Sequence, residues 1–219
     1  RGGGGDALML ALPDQAQATR VVLVRHAETE ESARGRCYGQ LDVRLSPQGL
    51  RQAQALAGAL ADHPFTAVYT SPLARALDTA RPIAAAQGIE PTVLEALAEL
   101  DFGELEGLRY DEIEAQRPDL FRAWMDEPAG VRFPGGEGLA DLRARVLPAL
   151  AEIRARHEGQ AVAVVAHGGV LRVALAEALG LEDGALFRLD QAEGGVSVVD
   201  WLDGVPLLRV ANATLYSPA

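Results

Sequence analysis

The sequence predicts an α/β fold, a three-layer sandwich of helices around a mostly parallel β-sheet. Three observations predict it. Residues 20–24, RVVLV, and 161–166, AVAVVA, are short continuous apolar runs, the pattern of strands covered on both faces. Such runs alternate with longer segments whose apolar residues recur at helical spacing. Near its end the chain reads VSVVDWLDGVPLLRVAN, two β-rich arms around Asp203-Gly204, the signal of an antiparallel hairpin.

The elements follow in order. Residues 1–18 open RGGGGD without a methionine and are expected to be a flexible tail or an expression remnant, with residues 19–219 as one domain. After the first strand, a polar, glycine-punctuated loop runs from Glu28 to Leu45. Ser46-Pro47 opens a helix, serine as cap and proline in the first turn, with Leu50, Ala53, Leu56, Ala57 and Leu60 as its apolar stripe. Thr66 to Thr70 is the next strand. Ser71-Pro72 opens a second helix that ends near Gly88 and that Pro82 kinks or restarts. Thr92 to Leu94 is a short strand, followed by the glycine-broken ALAELDFGELEG. Residues 108–133 read as small helices broken at Pro118 and Pro128, within an insertion, 104–136, expected to cap the site. Glu137 to His157 is a longer helix, interrupted or kinked at Pro148, and a helix from Val170 to Leu179 follows the strand at 161–166.

Composition narrows the function classes. With 219 residues, 48% of them hydrophobic, the chain can bury a single well-packed core. A net charge of −11 disfavours a nucleic-acid partner held by a basic surface. All 20 basic residues are arginine, which excludes Schiff-base chemistry on lysine and a Walker-type lysine. Cys37 is the single cysteine, so an intrachain disulfide and a multi-cysteine metal site are excluded, and it reads as a packing residue. No apolar stretch approaches the ~20 residues of a membrane span, and the Ala7–Leu12 run is too short for a signal peptide and has no basic segment ahead of it. A cytoplasmic enzyme with no membrane partner is expected; a homodimer is compatible with the sequence.

The first strand stops at Arg25-His26, and the strand at 161–166 stops at His167-Gly168-Gly169. In an open α/β sheet ligands bind beyond the carboxyl ends of the strands, so parallel pairing would bring both imidazoles to one edge. The other two histidines, His63 and His157, read as exposed helix ends or loops. Arg75, in the first turn after the strand at 66–70, joins the same edge, where free helix N–H groups favour anions. Taken singly, Arg75 reads as a surface residue paired with Asp78. Two arginines and two imidazoles at three strand ends of an acidic protein point instead to a compact multivalent anion such as phosphate, which arginine binds in bidentate fashion.

Arg25-His26-Ala27-Glu28-Thr29 resembles the RHGET signature of the histidine phosphatase superfamily, phosphoglycerate mutase-like branch. The resemblance continues in order through YGQLDVRLSPQGLRQAQAL, TSPLARALDTA, ELDFGELEG, PGGE and AHGGVLR, covering roughly residues 20–211, with α-ribazole phosphatase and similar small-molecule phosphatases as the nearest look. It implies a phosphoglycerate mutase-like fold and hydrolysis of a small phosphorylated metabolite, without metal or cofactor, through a phosphohistidine. His26 would be the nucleophile; it must be neutral to attack, and adjacent Arg25 disfavours the imidazolium. Arg25, Arg75 and His167 would clamp the phosphoryl oxygens, with the Gly168 amide as a further donor. Glu99, four residues before Gly103, would protonate the leaving oxygen and then activate water; Asp101, Glu104 and Glu106 are local competitors. Ser32, Tyr38 and Gly39 fall at substrate-contacting positions. Ala27 and Ser32 depart from the family's usual glycine and asparagine.

Other readings are a mutase, a metal hydrolase and a silent phosphopeptide-binding module. Mutases of the family carry Arg-His-Tyr after the catalytic glutamate; here Leu100, Asp101 and Phe102 follow, and Asp101 is expected to repel a second anion. The histidines lack metal-ligand spacing and stand beside arginines, which opposes a divalent cation. A silent module would be natural if His26 or Glu99 were missing, and both are present. Phe102, Tyr110, Phe121, Trp124 and Phe133 either pack a core for the cap or face the pocket and receive an apolar or aromatic leaving group; α-ribazole 5′-phosphate is the example the resemblance offers.

Overall fold

The computed structural model describes residue 15 and residues 17–215. For residues 1–14 and 16 the expected tail lies outside the described residues. The sheet has six strands: β1 (Thr19–Arg25), β2 (Ala67–Thr70), β3 (Thr92–Val93), β4 (Ala161–Ala166), β5 (Gly195–Leu202) and β6 (Val205–Thr214). Their order is β3-β2-β4-β1-β5-β6. β1 to β4 run parallel, and β5 and β6 form the antiparallel hairpin, turned at Asp203 (φ 51°) and Gly204 (φ 81°). A left-handed pair of this kind suits the tight hairpin turn, whose twist matches that of the strands it joins.

Alternation along the strands makes two cores. Val21, Leu23, Val162 and Val164 face α5 (Leu139–Arg156) and α6 (Gly168–Leu179). Val22, Val24, Ala163 and Val165 face α1 (Pro47–Leu60) and α2 (Ala74–Ala86). Both faces of the central strands are therefore dry, which is why they are written almost wholly in alanine, valine and leucine. A third cluster, around Leu105, Ile113, Trp124 and Phe133, belongs to the inserted segment, which carries α3 (Tyr110–Gln116) and α4 (Pro118–Asp126).

Some expectations are corrected in whole or in part. Leu50 is 52% exposed; the first turn of α1 instead turns Gly49 and Gln52 inward, where the Gln52 side chain accepts the Glu28 amide at 2.9 Å. Helix α2 starts at Ala74 with Leu73 at its cap, not at Ser71-Pro72, because Ser71 is still held to β4 through its amide and the Val165 carbonyl (3.2 Å). Pro82 and Pro148 interrupt neither helix: α2 and α5 run through them, each fixed by a buried face on the sheet. α5 begins at Leu139, since Glu137 is drawn into an ion pair with Arg145.

Candidate active site

Sheet register brings the strand ends together. Arg25 pairs with Ala166 and Thr70 with Val165, so the residues that follow, His26, His167 and Ser71, leave the sheet side by side. The His26 amide donates to the Ala166 carbonyl at 2.9 Å. The two imidazoles lie 5.3 Å apart, centroid to centroid, tilted by 55°. Both are buried, His26 at 2% exposure and His167 at 0%.

The proton on His26 can be placed. Its Nδ1 lies 2.9 Å from the Ala27 carbonyl, which can only accept, so Nδ1 carries hydrogen and Nε2 keeps the lone pair. Burial first, then Arg25 and Arg75, hold the His26 pKa well below the ordinary histidine value. Burial, then Arg75, His26 and Arg25, do the same to His167. Two neutral imidazoles therefore stand between two guanidiniums. Ala27, where the resemblance expects glycine, packs its methyl group with Leu45 and Ala53.

The arginines are braced by backbone and keep donors in reserve. Arg75 is fully buried and donates from its Nη atoms to the Leu41 and Gly39 carbonyls at 2.7 and 2.5 Å. Arg25 donates to the Gln191 carbonyl at 2.5 Å. The Nε atoms of both, and Nδ1 of His167, are buried without a hydrogen-bond partner among the described residues. Buried polar atoms are rarely left so, and three at one strand edge make a cradle for an anion's oxygens. His167 Nε2 is 2.7 Å from the Ser71 hydroxyl, which fixes the ring.

The Glu99 carboxylate accepts the amides of Leu100 (2.8 Å) and of Gly169, in the first turn of α6 (3.0 Å). Any side chain at Gly169 would displace the Glu99 carboxylate, because a Cβ there would stand 2.4 Å from a Glu99 oxygen. Behind it Arg145 gathers the segment, donating to the carbonyls of Ala96, Ala98 and Glu99 at 2.7–2.9 Å while Glu137 neutralises its charge.

Arg25, His26, Tyr38, Gly39, Arg75, Glu99 and Gly168 all line one cavity of about 510 Å³. Tyr38 lies under the Arg75 guanidinium, 5.0 Å away. Other residues singled out in the sequence stand off this cavity or have other partners. Ser32, in an exposed 3₁₀ turn, does not line the cavity. Asp101 does not face it either, because its carboxylate accepts the Gly103 amide at 2.8 Å. The amide of Ala74, the first residue of α2, is capped by Asp42 at 2.8 Å; Asp78 pairs with Arg81, not Arg75. His157, expected exposed, is half-buried with its ring bonded to Tyr69 at 2.9 Å.

A second cavity of about 730 Å³ adjoins the first and shares Glu99, Phe102, Tyr110 and Arg172 with it. Its walls include Trp124, Phe133 and Phe187. The rings also pack on one another, Phe102–Phe133 at 4.8 Å and Trp124–Phe133 at 5.0 Å, so they form a core for the inserted segment and line the cavity as well; Phe121 packs but does not line. Sequence reasoning missed Arg172 and Arg145. The former stands four residues past Gly168, a helical spacing that puts both on one face; for Arg145 no sequence signal exists. Among the described residues no group of three or more His, Cys, Asp or Glu side chains is arranged to hold a metal ion, and no helix is long and apolar enough to cross a membrane.

Residues 21–214 match the family model of the histidine phosphatase superfamily, branch 1. The chain belongs to this superfamily. It is 39% identical over 163 residues to phosphoserine phosphatase 1 of Hydrogenobacter thermophilus, covering 74% of this chain and 77% of that one. It is 40% identical over 162 residues to the metal-independent phosphoserine phosphatase of Arabidopsis thaliana, covering 72% and 68%. The α-ribazole phosphatase of Shigella flexneri superposes with a TM-score of 0.82 at 27% identity, covering 92% of this chain and all of that one. The family's phosphatases thus share this chain's α/β architecture.

Proposed function

We propose that the protein is a metal-independent phosphomonoesterase that transfers the phosphoryl group of a small ester to His26 and then to water. The observation that carries the reading is the pair of neutral, buried imidazoles between two backbone-braced guanidiniums. With Nδ1 protonated, His26 Nε2 attacks phosphorus and the ester P–O bond breaks. Arg25, Arg75 and His167 supply the orphaned donors to the phosphoryl oxygens, where transition-state charge collects. Glu99 gives its proton to the leaving oxygen; after the alcohol departs, it takes a proton from the water that cleaves the N–P bond. The alcohol departs into the aromatic chamber, whose size suits an apolar or aromatic group, the nucleoside of α-ribazole 5′-phosphate among them.

Mutase action is disfavoured on different grounds from those first read. Asp101 is turned away, but Leu100 and Phe102 give the space beyond Glu99 an apolar wall where a returning sugar acid would need hydrogen-bonding partners. Rapid alkaline quench with ³²P-labelled substrate tests the reading: label on His26 that survives base, is lost on later acid treatment and is unaffected by EDTA is expected. Activity lost in EDTA and restored by a divalent metal, or interconversion of 2- and 3-phosphoglycerate at rates matching hydrolysis, would overturn it.

A further inference from the structure

We propose that Arg172 determines specificity by gripping a carboxylate on the leaving group, so that the preferred substrates are phosphate monoesters of apolar or aromatic alcohols that bear one carboxylate. The proposal rests on the phosphatase reading above. Arg172 lines both cavities and, among the described residues, is the one cation in the wall of the aromatic chamber, which also holds Glu99. Its Nε donates to the Leu189 carbonyl at 3.0 Å, which pins the guanidinium by its inner nitrogen. The Nη pair, the end that matches a carboxylate, makes no hydrogen bond or ion pair among the described residues. The ring of Phe187 lies 5.7 Å away, so one side of the group is apolar.

A half-buried guanidinium beside a second one is an unfavourable arrangement. Burial and Arg25 both oppose its charge, and Glu99 and Asp190 only partly offset them. An anion delivered by the substrate would compensate it. The phosphoryl group does not need Arg172, since Arg25, Arg75 and His167 already hold unpaired donors for it. A second anionic group on the alcohol would meet Arg172 as it enters the chamber. In the rest of the wall Phe102, Trp124 and Leu142 are apolar and Tyr110 offers a third anion only one neutral hydroxyl.

The experiment compares phenyl phosphate with 3- and 4-carboxyphenyl phosphate on the wild type, Arg172→Met and Arg172→Lys. Wild type should prefer a carboxylated ester. Arg172→Met should lower kcat/KM for that ester by roughly 10- to 100-fold, mostly through KM, while phenyl phosphate stays within about threefold. Arg172→Lys should recover part of the loss, because it restores charge without the planar fork. Equal losses on all three esters would mean that Arg172 serves the phosphoryl group or the fold, and no loss on any would mean no role; either overturns the proposal. Calorimetric binding of the same esters to His26→Ala, alone and combined with Arg172→Met, repeats the comparison without turnover. A wild type that binds carboxyphenyl phosphate through Arg172 but hydrolyses nothing would overturn the phosphatase reading and uphold this one.

Discussion

The two adjoining cavities are made in different ways. In the phosphate pocket, main chain does most of the placing: strand register aligns His26 and His167, and carbonyls of Gly39, Leu41 and Gln191 brace the arginines. In the aromatic chamber the walls are side chains from the inserted segment and from the turn at Phe187, held by ring contacts of about 5 Å. The first arrangement is costly to alter and poor at adapting, which suits one fixed reacting group. The second can be repacked one ring at a time, which suits a varied alcohol. Damage to the pocket should therefore appear in kcat, and damage to the chamber in KM and substrate preference.

The largest effect should come from His26→Ala, with kcat reduced on the order of 10⁴-fold or more and the thermal transition retained. A residual rate within tenfold of wild type would erase the distinction between the cavities. Glu99→Gln should come next, costing about 10²–10⁴-fold on alkyl phosphates and markedly less on 4-nitrophenyl phosphate, whose leaving oxygen needs little protonation. An equal loss on both would remove Glu99 from the acid role.

Trp124→Ala sharpens the comparison from the other side. The indole is buried, so about 3–5 kcal/mol of stability should be lost by urea denaturation. Below the unfolding temperature, kcat/KM for aryl esters should fall several-fold while that for a small alkyl phosphate holds. Parallel losses would reduce the chamber to a structural core. Phe187→Ala, at a ring 49% exposed, should change stability little and raise KM for aryl esters only a few-fold.

The smallest effect is on pH dependence. His26 and His167 have folded pKa values well below the ordinary one, so the unfolded chain takes up their protons first. Stability should be level between roughly pH 6.5 and 8 and decline as pH falls below that window, by up to two protons' worth of slope. Turnover should persist through part of that decline, because the folded His26 is still neutral. The carboxylates held low, Glu137 and Asp200, contribute stability that is lost only at more acid pH. Urea titrations at pH 5, 6 and 7 that gave one unfolding free energy would refute the assignment.

The pattern of legibility in the sequence follows the same division. Strands and hairpin could be read because β-branched runs and an Asp-Gly turn act locally, and Arg25, His26, Arg75 and His167 because parallel strands must end at one edge. Glu99 came from the resemblance alone, since its place depends on Arg145 and Gly169, far away in sequence. Where Ser32 and Arg172 stand relative to the cavity could not be read, because nothing local says which way a loop or a helix face turns. Four aromatic rings both pack and line the chamber, and a sequence that lists rings cannot say which surface each presents.

Cys37, the single thiol, sits at 2% exposure against the core of the inserted segment. Burial, with Glu106 and Glu99 nearby, pushes its pKa far up, so the folded protein offers almost no thiolate to react. Labelling by a disulfide reagent can then proceed only when this part of the molecule opens. Its rate, followed against denaturant and against a bound phosphate ester, reads the local opening free energy where the inserted segment's core meets the phosphate pocket, with no probe to introduce and no competing cysteine to subtract.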